Sequence, residues 1–435
     1  MTNTSIKELQ HLLLENMDAT LNRSGVSGTR LAFRLAELAK IGLTEENGSY
    51  RIGYSLEEKA AKELVANWME EAGLKVRTDS AGNVFGRLAG RQDHMPSILS
   101  GSHVDSVPNG GHFDGPLGVL AALEVVEAWK ETGYQPEFPY EVVIFSDEEG
   151  ARFNGGLTGS RAVVGDIDME KQVTLMDLNG DDFTTVIKNY GLAAESFTDA
   201  SRDLATIKAY IEVHIEQGKV LEKANVPVGV VTGIAGPLWL KISIIGEAGH
   251  AGNTPMIGRK DALVAAGEFI AAIPLLPSTV SDSAVATIGK VEVHPNGVNV
   301  IPGKVDLYVD VRDIYTDTVE QLVEAILAKA KEITQKYEIT FDYEQTLKVD
   351  PFLVKETLIE TLTKAVEKEG IKPVYLPSGA GHDAMILGRY IPTAMIFARS
   401  KNGVSHNPLE WTSLSDCLHA VHVLKNAIEK LNENN

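Results

Sequence analysis

The stretch EVVIFSDEEGARF, residues 141–153, decides how the chain is read. Its first half is apolar and β-branched, the make-up of a buried strand. The run ends abruptly in Asp147, Glu148 and Glu149. Three adjacent carboxylates repel one another, so their place at the tip of a core strand requires compensating positive charge.

Outward from this strand, helical and extended segments alternate, the pattern of an α/β fold. LEEKAAKELVANWMEEAG (56–73) has helical periodicity and a glycine stop, and SILSGSH (97–103) is a short apolar strand. PLGVLAALEVVEAWKETG (116–133) opens on proline and closes on glycine, as a largely buried helix would. IKAYIEVHIEQG (207–218) supplies a further strand. From about 236 to 348 the character changes. LWLKISIIGE (238–247) and KVDLYVDVRD (304–313) alternate along their length, and helical stretches follow at 259–273 and 318–337. A strand-helix-strand-strand-helix-strand module suits that span. FLVKETLIETLTKAVEKEG (352–370) and IPTAMIFARS (391–400) then return to the first pattern. The expected architecture is a discontinuous larger α/β domain with a mixed sheet, residues 1–235 and 349–435, and an inserted smaller α+β domain, 236–348.

The chain has 435 residues, 44% hydrophobic and 23% charged, the balance of a globular protein with a sizeable core. A net charge of −20 argues against nucleic acid and anionic membranes as partners, since both need a basic face. The one cysteine, Cys417, excludes an internal disulfide and a Cys-based zinc site, and reads as a small buried hydrophobe. The polar, amphipathic start lacks the features of a signal peptide, and no apolar run approaches the roughly 20 residues of a membrane span. A cytoplasmic protein is expected.

Three strands end in potential metal ligands. The first gives His103 and Asp105 in SGSHVDSV, followed by Asp114 in GGHFDGP; the second gives the acidic trio; the third gives His214 and Glu216 in VHIEQG. His406 follows the last strand in VSHNPLEW. Sites in open α/β sheets form beyond the carboxyl ends of strands, where these residues would converge. A single such histidine or aspartate is more often a packing residue or a cap. Their repetition at strand ends argues for chemistry, whereas His11, His94, His112, His294, His419 and His422 stand in helical or loop contexts. Two divalent cations would neutralise the carboxylates, and imidazole with carboxylate suits zinc, manganese, cobalt or nickel. The spacing His103-x-Asp105 suggests a ligand and the carboxylate that orients it, and Asp114 could bridge both ions. Of the acidic trio, one should bind metal and one should stay free as a base.

SGSHVDSVPNGGHFDG, DEEGARF, VHIEQG, GEAGHAGNTP, NVIPG, DVRD, SGAGHDAM and SHNPLEW, in this order from about residue 20 to the end, resemble the co-catalytic-metal amidohydrolase and exopeptidase superfamily. Within it they are similar to the branch of N-carbamoyl-L-amino acid hydrolases and allantoate amidohydrolases. The resemblance implies one metal on His103 and His214, a second on Glu149 and His406, and Asp114 bridging them. It implies Glu148 as general base and Asp105 as the group orienting His103. Gln217, His250, Asn299, Arg312 and Gly381 would form the substrate set, with Arg312 on a carboxylate and His250 on the oxyanion. The inserted domain would serve as lid and dimerisation element, giving a homodimer. The implied activity is removal of the carbamoyl group from N-carbamoyl-L-amino acids, releasing amino acid, ammonia and carbon dioxide. Allantoate hydrolysis, metal-dependent peptide hydrolysis and an inactive binding module are the alternatives. Asp147 and His112 stand where relatives vary and receive no role beyond local polarity. The chain contains no HExxH, GxSxG or P-loop, and GAGHDA (379–384) lacks the acidic residue that a dinucleotide fingerprint needs.

Overall fold

The computed structural model describes residues 4–433; residues 1–3 and 434–435, the ends of the expected outer domain, lie outside the described residues. The chain divides into two compact units. One runs to Thr232 and resumes over Val354–Leu376 and from His382 onward; the other takes Gly233–Leu353 and Pro377–Gly381.

The first unit is built on a mixed sheet. Its strands lie in the order Lys75–Thr78, Val84–Leu88, Tyr140–Phe145, Ser97–His103, Ile207–Ile215, Thr393–Ala398 and Val228–Ile234. The four middle strands are parallel and the flanking pairs antiparallel. Tyr140–Phe145, Ser97–His103 and Thr393–Ala398 are buried at every residue, so they read as continuous apolar runs. Register brings their carboxyl ends level: His103 pairs with Phe145, and Ala398 with Ile215. Ligands at those four ends therefore share one edge.

Helix Pro116–Thr132 packs on the His103 and His214 strands, and the last helix, Leu414–Glu433, packs on it and on Thr393–Ala398. Cys417 is buried and free in that last helix. The turn entering Pro116–Thr132 needs Gly115, whose φ is 81° and whose Cβ would lie 2.5 Å from the His103 ring. Tyr54, Phe153, Phe183, Tyr190 and Phe197 form a separate apolar cluster in this unit.

The second unit orders Thr340–Lys348, Gly236–Ile245, Lys304–Asp313 and Val285–His294 in an antiparallel sheet. Leu238, Leu240, Ile242 and Ile244 alternate inward, as do Val305, Leu307, Val309 and Val311. Helices Ala262–Ala272 and Thr316–Lys336 cover that face with Phe269, Leu322 and Ile326. His294 ends a strand here, not a helix or loop, because the Val285–His294 edge pairs through to Lys304. Among the described residues no helix is long and apolar enough to cross a membrane.

Candidate metal centre

His103 closes its strand and His214 is the penultimate residue of the next, so the parallel ladder sets their rings side by side, centroids 6.0 Å apart. Both are 1% exposed. Each presents Nδ1 to a backbone carbonyl, His103 to Asp105 at 3.1 Å and His214 to Ile215 at 3.0 Å. That contact fixes the proton on Nδ1 and turns the Nε2 lone pair inward. Neither Nε2 makes a directed hydrogen bond within the protein.

Asp114 faces both rings. Its Oδ1 lies 3.0 Å from His214 Nε2 and 3.7 Å from His103 Nε2, while Oδ2 lies 3.4 Å from His406 Nε2. Glu149 approaches His406 at 3.3 Å. Two groups result, His103–Asp114–His214 and Asp114–Glu149–His406, with ligand atoms in each within 4.8 Å of one another. Asp114 belongs to both. Glu148 belongs to neither and stands 3.6 Å from His103 Nε2.

The acidic loop is pinned residue by residue. Ser146 accepts from Lys62 at 2.7 Å, and its N–H donates to Asn83. Thr158 donates to Asp147 at 2.7 Å, and the Asp105 carboxylate accepts the N–H groups of Glu148 and Glu149. Asp105 thus spends its carboxylate mainly on this loop, and its backbone carbonyl is the oxygen nearer His103, the side-chain distance being 3.4 Å. Asp147 has φ 52° and is fully buried. Burial, with Asp105 nearby, lifts its carboxyl well above the usual range, and its bond from Thr158 gives it a structural role in the loop beyond the local polarity expected of it.

Among the described residues the recorded ion-pair partners of Asp114, Glu148 and Glu149 are imidazoles, with no lysine or arginine. Burial would raise Asp114, but His214, His406 and His103 overcome it and hold it well below the carboxylate range. Burial lifts Glu148 well above that range, aided by Asp383, Glu149 and Asp105 against His103. Hydrogen bonds to Asp114 and Glu149 push His406 up to about 11. Such a crowd of carboxylates around inward-facing imidazole lone pairs fits cations, which compete with the imidazole protons.

Gln217, at φ 56°, donates to Asp114 Oδ2 at 2.8 Å and to Ser405 at 3.1 Å. The other expected substrate residues lie in the second unit. His250 accepts from the N–H groups of Gly252 and Asn253 at Nδ1, leaving Nε2 as a donor. Strand pairing seats it across from Val300, and the Asn299 backbone carbonyl accepts from the neighbouring Ala251 N–H. Arg312 meets Asp310 along one edge at 2.8 and 2.9 Å and donates to the Gly379 carbonyl, two residues from Gly381.

Several buried groups escaped the sequence reading. Glu212 is bonded by Ser102 and the Ala384 N–H, and its pattern was that of an ordinary strand residue. His382 lies with its ring 4.4 Å from His214, and Asp383 is buried beside it. Both stand in SGAGHDAM, of which the sequence reading assigned a role to Gly381 alone. Lys62, four residues after its partner Glu58 on one helix and 2.5 Å from it, carries no sequence signal of burial and is 3% exposed.

Fold and site together define a hydrolase organised around clustered imidazoles and carboxylates. Residues 99–430 match the peptidase family M20/M25/M40. The chain is 42% identical to an N-carbamoyl-L-amino acid amidohydrolase of Geobacillus stearothermophilus, over 93% of this chain and 99% of that one. It is 35% identical to an allantoate amidohydrolase of Bacillus subtilis, covering 91% and 95%. A crystal structure of a hydantoinase/carbamoylase family amidase from Burkholderia multivorans superposes with TM-score 0.86 at 34% identity, covering 93% and 98%. The chain belongs to the peptidase family M20/M25/M40.

Removing His406 should cost one bound cation and spare the other, because His406 belongs only to the Glu149 group. Metal analysis of His406→Ala after dialysis is expected to show half the wild-type content. Unchanged content would remove His406 from the ligand set.

Proposed function

We propose that this protein is a di-metal amidohydrolase that removes the carbamoyl group from N-carbamoyl-L-amino acids, yielding the amino acid, ammonia and carbon dioxide. The observation that carries the reading is the division at the acidic loop: Asp114 and Glu149 join ligand groups, whereas Glu148 stays outside both. The relatives named for N-carbamoyl-L-amino acids supply the substrate class. Allantoate hydrolysis is the second reading, favoured by the relative named for it, and it uses the same residues.

In this proposal His103 and His214 hold one cation, Glu149 and His406 the other, and Asp114 both. The pair, of manganese, zinc, cobalt or nickel, would polarise the ureido carbonyl and make water acidic enough to attack at neutral pH. Glu148 takes the proton of the attacking water and passes it to the departing nitrogen, a task open to it because it stands beside the cluster but outside both ligand groups. Asp105 holds the Glu148 and Glu149 backbone and orients His103. His250 donates Nε2–H to the developing oxyanion. Arg312, steadied by Asp310, exchanges its bond to the Gly379 carbonyl for the substrate α-carboxylate, and Asn299, Gln217 and Gly381 complete the proposed substrate set. The inserted unit acts as lid and dimerisation element. Exposed Leu263 and Val264 on its helix and Val285 and Val291 on its edge strand support association of two copies, and the cytoplasm is the proposed location.

Ammonia release from N-carbamoyl-L-amino acids, allantoate and dipeptides tests the substrate class directly, with carbamoyl amino acids expected to be turned over fastest. Glu148→Gln should abolish turnover while retaining bound metal. Loss of metal to the extent seen in Glu149→Gln would overturn the division of roles. Arg312→Lys, which replaces a bidentate fork with a point charge, should raise KM with little change in kcat. An unaltered KM for every accepted carboxylate substrate would exclude Arg312 from the pocket.

His250 is assigned to the partner copy's site. Glu148→Gln and His250→Ala homodimers should each be nearly inactive, and subunit exchange between them should restore roughly a quarter of wild-type sites. Proven exchange without recovery would rule out a shared site.

A further inference from the structure

Glu410 lies in NPLEW, four residues past His406, and is 4% exposed. Among the described residues it makes no ion pair, yet its carboxylate accepts hydrogen bonds from two loops. Oε1 accepts the N–H groups of Phe113 at 2.9 Å and Asp114 at 3.1 Å, and Oε2 accepts the Ser405 hydroxyl at 2.8 Å. The same Ser405 hydroxyl stands 2.8 Å from Asp114 Oδ2. Glu410 therefore holds Asp114 directly by its backbone N–H, and Ser405, whose single proton serves one carboxylate at a time, stands between the two side chains. The two loops it joins are 297 residues apart in sequence.

The grip requires an absent side chain. A Cβ on Gly111 would stand 2.0 Å from Glu410 Cδ and Oε1, far inside contact distance. Gly111 has no positive φ, so alanine is acceptable to the backbone and the obstruction is the carboxylate alone. The ring of Phe113 meets Trp411 edge-on at 5.7 Å, closing the two loops beside the carboxylate.

We propose that Glu410 and Gly111 form a clasp that positions Asp114 against His406, and so sets the affinity of the paired cation site. This rests on the metal-binding reading above. Glu410 touches neither substrate nor cation; it is a positioning residue. A group of this kind, bonded to a ligand, commonly governs metal affinity by tenfold to a hundredfold.

The test is titration of the chelator-stripped full-length protein with Co(II), read by its visible absorption, with far-ultraviolet circular dichroism to verify the fold. Glu410→Ala is expected to weaken cobalt binding by about tenfold or more. Gly111→Ala, which drives the carboxylate out, should do the same. The double variant should be no worse than Glu410→Ala, because removing the carboxylate makes room for the new methyl group. Glu410→Gln should bind within a few-fold of wild type, since its amide oxygen can still accept both N–H groups. Wild-type affinity and spectrum in Glu410→Ala, or full additivity in the double variant, would overturn the clasp. If Glu410→Ala does not fold, Gly111→Ala decides: undiminished cobalt binding there overturns the proposal equally. Failure of the wild-type protein to bind cobalt, by contrast, would overturn the metal reading and the clasp with it.

Discussion

A carboxylate shared by two groups of imidazoles and carboxylates is the constraint on which this structure turns. Asp114 is 6% exposed and lies within 3.7 Å of three histidines. Removing a carboxylate from water costs several kcal/mol unless opposite charge and hydrogen bonds compensate. The chain compensates by bringing ligands from four strand ends to a single edge, which only a parallel arrangement in level register can do. The sheet order, the glycine turn into Pro116–Thr132 and the pinned acidic loop all serve that convergence.

Below the ligands lies a layer of buried polar groups that fixes the backbone carrying them. Lys62 joins Glu58, Ser146 and the Gly82 carbonyl, tying the helix Leu56–Glu71 to the start of the acidic loop. Arg51, also buried, donates to the carbonyls of Val104 and Ile41 and so braces the loop that follows His103. Burial draws its guanidinium down to about 10, against the pull of Asp105 and Glu410. These cations act through the backbone and leave the first ring of contacts to imidazole and carboxylate. That separation keeps the inward lone pairs free for a cation.

The second unit presents a different kind of order. Its residues of interest stand on a half-covered antiparallel sheet and a two-residue ladder, where hydrogen bonds orient each side chain. Arg312 is steadied by Asp310, which in turn accepts from Trp239. The ion pair that would mark an idle surface arginine thus holds one edge of the fork still, and the Gly379 carbonyl accepts from Nη1 on the other.

The elements of this protein were written in local pattern. Apolar runs, a proline start and glycine stops placed Ser97–His103, Pro116–Thr132, Tyr140–Phe145 and Lys304–Asp313 within a residue or so, because burial on both faces or one face dictates period and length. The strand-end motifs His103, Glu148–Glu149 and His214 were legible for the same reason: charge at the end of a core strand needs an explanation. Other features had no local signature. Asp147 received no role beyond local polarity, and nothing in the pattern singled out Lys62 or Glu410, yet the structure buries all three. Their meaning depends on which distant backbone faces them, and that is decided by packing across hundreds of residues. Sequence determined the strands, the helices and the ligand types; tertiary structure decided which oxygen meets which nitrogen, because hydrogen-bond partners across a sheet edge are set by register and approach, not by neighbours in the chain.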